Sequence, residues 1–174
     1  MEFLNSIKER VPDYAKDIRL NLDATIARSS LASADALGVA LAAAYAAKSK
    51  VLVDAIRGSG QLSETDAQAA LSAAALMGMN NIWYPYVEMA EDAELKTQRP
   101  ELRMNAYATH GGVDKLRFEL FALTASIIGK CHFCVASHYK LLKDGGITVQ
   151  QLRDAGRIAA AINAAALALA AEGS

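Results

Sequence analysis

Thirty-six of the 174 residues are alanine and only three are proline. That ratio constrains the fold more than any other feature. Alanine loses no side-chain entropy in a helix, and proline is the residue that interrupts one. Nowhere does the chain alternate β-branched with polar residues over a strand's length. The expectation is an all-α fold with no sheet, forming a single domain over 1–174.

Apolar spacing and capping residues divide the chain further. Residues 1–28 read as helix, with Pro12 in a first turn and Tyr14, Ile18 and Leu22 on one stripe. Ser33 caps a predicted helix to Ala47, with Leu37, Leu41, Ala44 and Tyr45 aligned. Short helix is predicted over 51–56, and a longer one from Ser63 to about Met79. Residues 80–89 carry Trp83, Tyr84 and Tyr86 and are interrupted by Pro85; 91–99 read as an exposed connector. His110-Gly111-Gly112 is a turn, and helices follow over 114–128, 131–143 and 148–171.

Leu62-Ser63-x-x-Asp66 and Ile147-Thr148-x-x-Gln151 open two of these helices alike. Each sets an apolar residue before a hydroxyl cap, with a polar side chain three residues on. Each follows a helix–break–helix unit at an offset of roughly 80–85 residues, so the chain reads as two related halves, roughly 30–90 and 112–172. Composition alone also makes two alanine-rich stretches resemble one another.

Charge excludes some functions. With a net charge of −1 and no run of Lys or Arg, nothing favours nucleic acid. The charged N-terminal stretch lacks the apolar core of a secretory leader. The longest apolar run, 158–171, contains Asn163 and is short for a bilayer, so it reads as a buried core helix. The expectation is a soluble, cytoplasmic protein without a membrane partner.

The two cysteines, Cys131 and Cys134, form a C-x-x-C. Gly129 breaks the helix before them, and steps of three and four put Cys131, Cys134 and His138 on one helix face. Two thiols then lie within disulfide reach, with an imidazole one turn beyond the second. A helix N-terminus and a neighbouring base both favour the reactive thiolate. His138 is the candidate base for Cys134, and Glu119, in an otherwise apolar run, is the candidate carboxylate to orient it. Two buried structural thiols would share this spacing, as would half of a zinc site. His132 faces another side of the helix.

Longer matches surround this motif. Pro12-Asp13-Tyr14-Ala15-Lys16-Asp17, Met77-Gly78-Met79-Asn80-Asn81, Leu102-Arg103-Met104-Asn105 and Phe118-Glu119-Leu120 precede the C-x-x-C and its histidine. In this order they resemble the AhpD alkylhydroperoxidase family, within the wider carboxymuconolactone-decarboxylase-like group. The resemblance implies an all-helical homotrimer of two-halved subunits that uses no bound metal, haem or flavin. It implies an alkyl hydroperoxide reductase in which Cys134 attacks the peroxide, Cys131 resolves the sulfenic acid to a disulfide, and Glu119 with His138 relays protons. The disulfide is then reduced by a dihydrolipoyl group (dihydrolipoamide) on a lipoylated 2-oxoacid dehydrogenase component. The peroxiredoxin AhpC is an implied partner, and an organic hydroperoxide the implied substrate.

The chain departs from the family pattern at several positions. Phe133 stands where some members carry a relay histidine, Ser137 replaces an alanine, Lys130 precedes Cys131, and Pro85 follows Trp83-Tyr84. The same cysteines would also serve a redox adaptor in which peroxide reduction is incidental. Lactone decarboxylation, known elsewhere in the wider group, is disfavoured by the cysteine pair.

Overall fold

The computed structural model describes residues 2–173; Met1 and Ser174, the ends of the predicted domain, lie outside the described residues. The described residues are all-helical, without a strand. Nine α-helices follow in order: α1 (Asn5–Arg10), α2 (Lys16–Ala27), α3 (Ser33–Ala46), α4 (Lys50–Gly58), α5 (Glu64–Ala90), α6 (Asn105–Thr109), α7 (Lys115–Gly129), α8 (His132–Asp144) and α9 (Val149–Ala171).

The centre is α3, which packs against α5, α7 and α9. Surrounded on so many sides, it buries every residue from Ala36 to Ala44, wider than the predicted stripe. Alanine makes this possible, because small side chains let helix axes approach closely. Larger side chains fill the gaps: Leu37, Leu41, Phe118, Phe121, Met77 and Ile158 have almost no solvent contact. Each contributes about 1.5–3 kcal/mol of burial.

The N-terminal prediction needs correction. One helix over 1–28 is replaced by two, because Pro12 adopts extended backbone (ψ 164°) ahead of a 3-10 turn, Asp13–Ala15, instead of entering a first turn of α-helix. The Val11 carbonyl is then satisfied by Arg19 Nε at 2.8 Å. Tyr14 is 74% exposed, whereas Leu4, Ile7, Val11 and Leu22 are buried. Ser33 is likewise the first helical residue and not a cap; Ala32 precedes it without a side-chain bond. Tyr45 leaves the predicted stripe and is 44% exposed.

The aromatic segment also differs from its prediction, since α5 continues through Pro85 to Ala90. Proline removes one backbone bond, but packing against α7 and α8 holds the helix. Asn81 Nδ2 donates to the Ala125 carbonyl at 3.0 Å, and Tyr84 stacks on Phe133 with ring centroids 4.3 Å apart. The connector after α5 is exposed as predicted, apart from one 3-10 turn at Leu95–Thr97.

The predicted caps before α5 and α9 are formed. Ser63 Oγ accepts from Asp66 N at 3.1 Å, and Thr148 with Gln151 makes a reciprocal capping box. The turns into α4 and α8 are alike in detail. Lys48 and Lys130 both take left-handed backbone (φ 60° and 55°). Ser49 N then bonds Ala44 O, and Cys131 N bonds Ser126 O. Ser49 and Cys131 each cap the next helix with a side-chain acceptor.

By length and composition α9 could cross a membrane, being longer than the apolar run read from sequence. Over half of its apolar window is buried, and it packs on α2, α3 and α7 as a core helix.

Candidate active site

The α7–α8 corner builds the site. Gly129 is the last residue of α7, and a Cβ there would fall 2.1 Å from Asn81 Nδ2; the glycine permits close approach to α5. Lys130 turns the chain, and Cys131 becomes the cap of α8, its Sγ accepting from Cys134 N at 3.2 Å. Cys131 and Cys134 are joined in a disulfide with Cα atoms 5.3 Å apart. The carbonyl oxygen of Asn80 lies 3.8 Å from Cys134 Sγ and 4.0 Å from Cys131 Sγ. A thiol can donate to that carbonyl.

Burial distinguishes the two sulfurs' surroundings. Cys131 has no solvent contact, while Cys134 retains a little and lines a cavity of about 350 Å³. His138, Tyr107, Asn80, Tyr84, Met104 and Phe133 share its wall.

His138 is buried one turn beyond Cys134, and its Nδ1 lies 2.6 Å from Glu119 Oε2. Glu119 is 1% exposed. Burial pushes its carboxyl up, but hydrogen bonds from His138 and Tyr107 and the nearby charges of His138 and Lys115 outweigh burial and hold it below its ordinary value. An ionised Glu119 assigns the shared proton to Nδ1. In the neutral imidazole His138 Nε2 then carries the lone pair, 3.3 Å from Met77 Sδ. Methionine sulfur has no proton to give, so that lone pair is free to act as a base.

The four residues singled out in the sequence are thus brought together: Cys131, Cys134, His138 and Glu119. His132 is exposed and lies 3.9 Å from Glu88, not with Glu119 and His138. Phe133 is 56% exposed and turns toward Tyr84. Among the described residues no three of His, Cys, Asp and Glu are grouped as metal ligands.

Sequence reasoning missed Tyr107, whose hydroxyl donates to Glu119 Oε1 at 2.6 Å. It also gave no role to Met77 and Asn80, although both lie in the Met77–Asn81 element that was singled out. Their signal was the element itself, since an otherwise ordinary alanine-rich helix had no packing need for the polar pair Asn80-Asn81.

Comparison with known proteins places the chain among relatives. The family model of the carboxymuconolactone decarboxylase family matches residues 93–173, the stretch holding the corner. The chain is 40% identical over 171 residues to alkyl hydroperoxide reductase AhpD of Rhodospirillum centenum, spanning 97% of this chain and 91% of the relative. The chain belongs to the AhpD family. The AhpD proteins of Maricaulis maris and Coxiella burnetii are 39% and 38% identical, and the matches cover 98% and 93% of those relatives. With 97% and 92% of this chain aligned in the two cases, the AhpD likeness extends along nearly the whole chain.

Proposed function

We propose that this chain is a thiol-dependent alkyl hydroperoxide reductase re-reduced by a dihydrolipoyl dithiol. The observation that carries the reading is that His138, bonded to the buried Glu119, lines the same cavity as Cys134. In the dithiol state His138 Nε2 takes the proton of Cys134. The thiolate attacks the O–O bond, giving a sulfenic acid on Cys134 and an alkoxide, which takes a proton back through His138 and leaves as the alcohol. The Cys131 thiol condenses with the sulfenic acid, releasing water and forming the disulfide.

Reduction runs in the reverse sense at the same sulfurs. Cys134 is the sulfur on the cavity, so an external dithiol attacks there and Cys131 leaves. As the cap of α8, Cys131 leaves as a thiolate that accepts a backbone N–H, and a stabilised leaving thiolate speeds exchange. The dithiol's second thiol then displaces Cys134, returning both cysteines to thiols.

The proposed partners are a lipoylated 2-oxoacid dehydrogenase component and the peroxiredoxin AhpC, in the cytoplasm, with the chain as a homotrimer. We further propose one domain of two related halves, roughly 30–90 and 112–172; the matched turns at Lys48–Ser49 and Lys130–Cys131 support that relation.

The test is hydroperoxide consumption by the purified protein with dihydrolipoamide as sole reductant. Turnover should vanish in Cys134→Ser. Cys131→Ser should complete one attack and stall as the sulfenic acid. Turnover retained in Cys134→Ser would refute the assignment. Reversible cycling of the cysteines without peroxide turnover would favour a redox adaptor.

A further inference from the structure

Both oxygens of the Glu119 carboxylate are claimed, and from different elements. His138 on α8 holds Oε2, and Tyr107 on α6 donates to Oε1, each at 2.6 Å. Among the described residues Tyr107 is the only donor to Oε1. Its ring meets Phe118 edge-on, with centroids 5.4 Å apart, and it lines the cavity of Cys134. Phe118 is the fully buried neighbour of Glu119. The backbone after α6 is pinned to α5: Gly111 has φ +60°, and a Cβ there would lie 2.7 Å from Ala69 Cα. A strap clamped on α5 therefore delivers the phenol.

We propose that Tyr107 is the positioning residue of the proton relay, its hydroxyl fixing Glu119 so that His138 presents Nε2 to Cys134. The proposal rests on the peroxidase reading of this site. A neutral phenol donates one hydrogen bond, and this one stays neutral: burial first, then the bond to Glu119 and its charge, push Tyr107 well above its ordinary value. With Oε1 taken, the carboxylate cannot swing and offers His138 only Oε2. The bond also tempers the carboxylate's pull on the Nδ1 proton. Other titratable groups beside this network are Lys115 on α7, Tyr84 on α5, Cys134 on α8 and His110 after α6, whose ring lies 6.0 Å from that of Phe118. Without the hydroxyl, Oε1 becomes a buried acceptor with no partner. The relay then takes up a proton at higher pH.

The test uses Tyr107→Phe, which keeps the ring against Phe118, in the full-length Cys131→Ser protein so that one thiol reports. Two rates are followed from about pH 5.5 to 9: sulfenic acid formation with tert-butyl hydroperoxide, and alkylation of Cys134 by iodoacetamide. The acid limb of both should move up by about one pH unit, with rates ~10-fold lower near pH 6.5 and within about twofold near pH 9. The shift should disappear when Glu119→Gln is added. A limb that stays in place, or a drop equal at every pH, would overturn the proposal. A parent protein inert to hydroperoxide, with the alkylation limb still moved by Tyr107→Phe, would refute the peroxidase reading and retain the positioning role. Tyr107→Met is the second variant should the first not fold.

Discussion

A carboxylate with almost no access to water persists as a charge only if its oxygens are occupied. Glu119 meets that condition through His138 and Tyr107. In the proposed mechanism its value is electrostatic: it holds the Nδ1 proton of His138 and offsets the charge that develops when Nε2 takes a proton from Cys134. Glu119→Gln keeps the shape and removes the charge. Hydroperoxide turnover should fall by ~10²-fold at neutral pH. The loss should shrink as the pH approaches that of an unassisted thiol, about 8.5. His138→Phe should behave likewise, and pH–rate profiles of the two variants check both. A profile of unchanged shape would remove the relay from the mechanism. In the sequence, Cys131, Cys134 and His138 were legible because they share one helix and one face. Glu119 was legible only as a charge in an apolar run. Tyr107 was silent, because nothing local relates a residue of α6 to a carboxylate twelve positions on.

Helices here are held by close approach as much as by large side chains, and glycine marks where it is tightest. A Cβ at Gly38 on α3 would lie 2.4 Å from the Phe121 ring on α7, a fully buried side chain. Gly156, within α9, would meet nothing within 4 Å. The same substitution should therefore act with opposite sign. Gly38→Ala is expected to destabilise by about 1–3 kcal/mol through overpacking. Gly156→Ala should stabilise by about 0.5–1 kcal/mol, because alanine is the better helix former. Urea midpoints of the two variants test this, and equal shifts would show that helix propensity, not the α3–α7 contact, dominates at Gly38. Element boundaries were legible wherever a side chain capped a helix, as at Ser63 and Thr148. They were misread at Pro12 and Pro85. A proline stops a helix when water is the alternative and is tolerated when neighbours hold the segment, as α7 and α8 hold α5. Local sequence does not distinguish those cases.

Across the whole molecule, a few buried and half-buried charges join distant segments. Asp154 of α9 is 1% exposed and accepts from Ser30 N and Oγ at 2.9 and 2.8 Å, tying the α2–α3 link to α9. Arg153 and Arg157 hold its other oxygen. Burial raises its carboxyl, but the bonds from Ser30 and the two arginines outweigh this and depress it far below the usual carboxylate range. Arg117, at the start of α7, joins Asp35 of α3 to Asp66 of α5, at 2.6 Å each. The sign for acid follows from the depressed groups. Asp154 and Glu119 lend stability that is full above the unfolded carboxylate value, about 4, and is lost as pH falls through their lower folded values. Tyr107, shifted upward, acts at the other end: its contribution is full below about pH 10 and lost above it. Urea midpoints against pH should therefore drop below about pH 4. Asp154→Ala should cost about 3 kcal/mol at neutral pH and flatten that acid limb; a variant with the parent's acid limb would exclude Asp154 as its source. By itself, the sequence determined what depends on neighbours three or four residues apart: the helical class, the capped starts of α5 and α9, and a face carrying two cysteines and a histidine. Only the tertiary structure decided which donors hold Glu119, which sulfur opens on a cavity and which prolines a helix can absorb. Those outcomes depend on groups far apart in the chain, whose pairing is set by how the helices pack and not by any local preference.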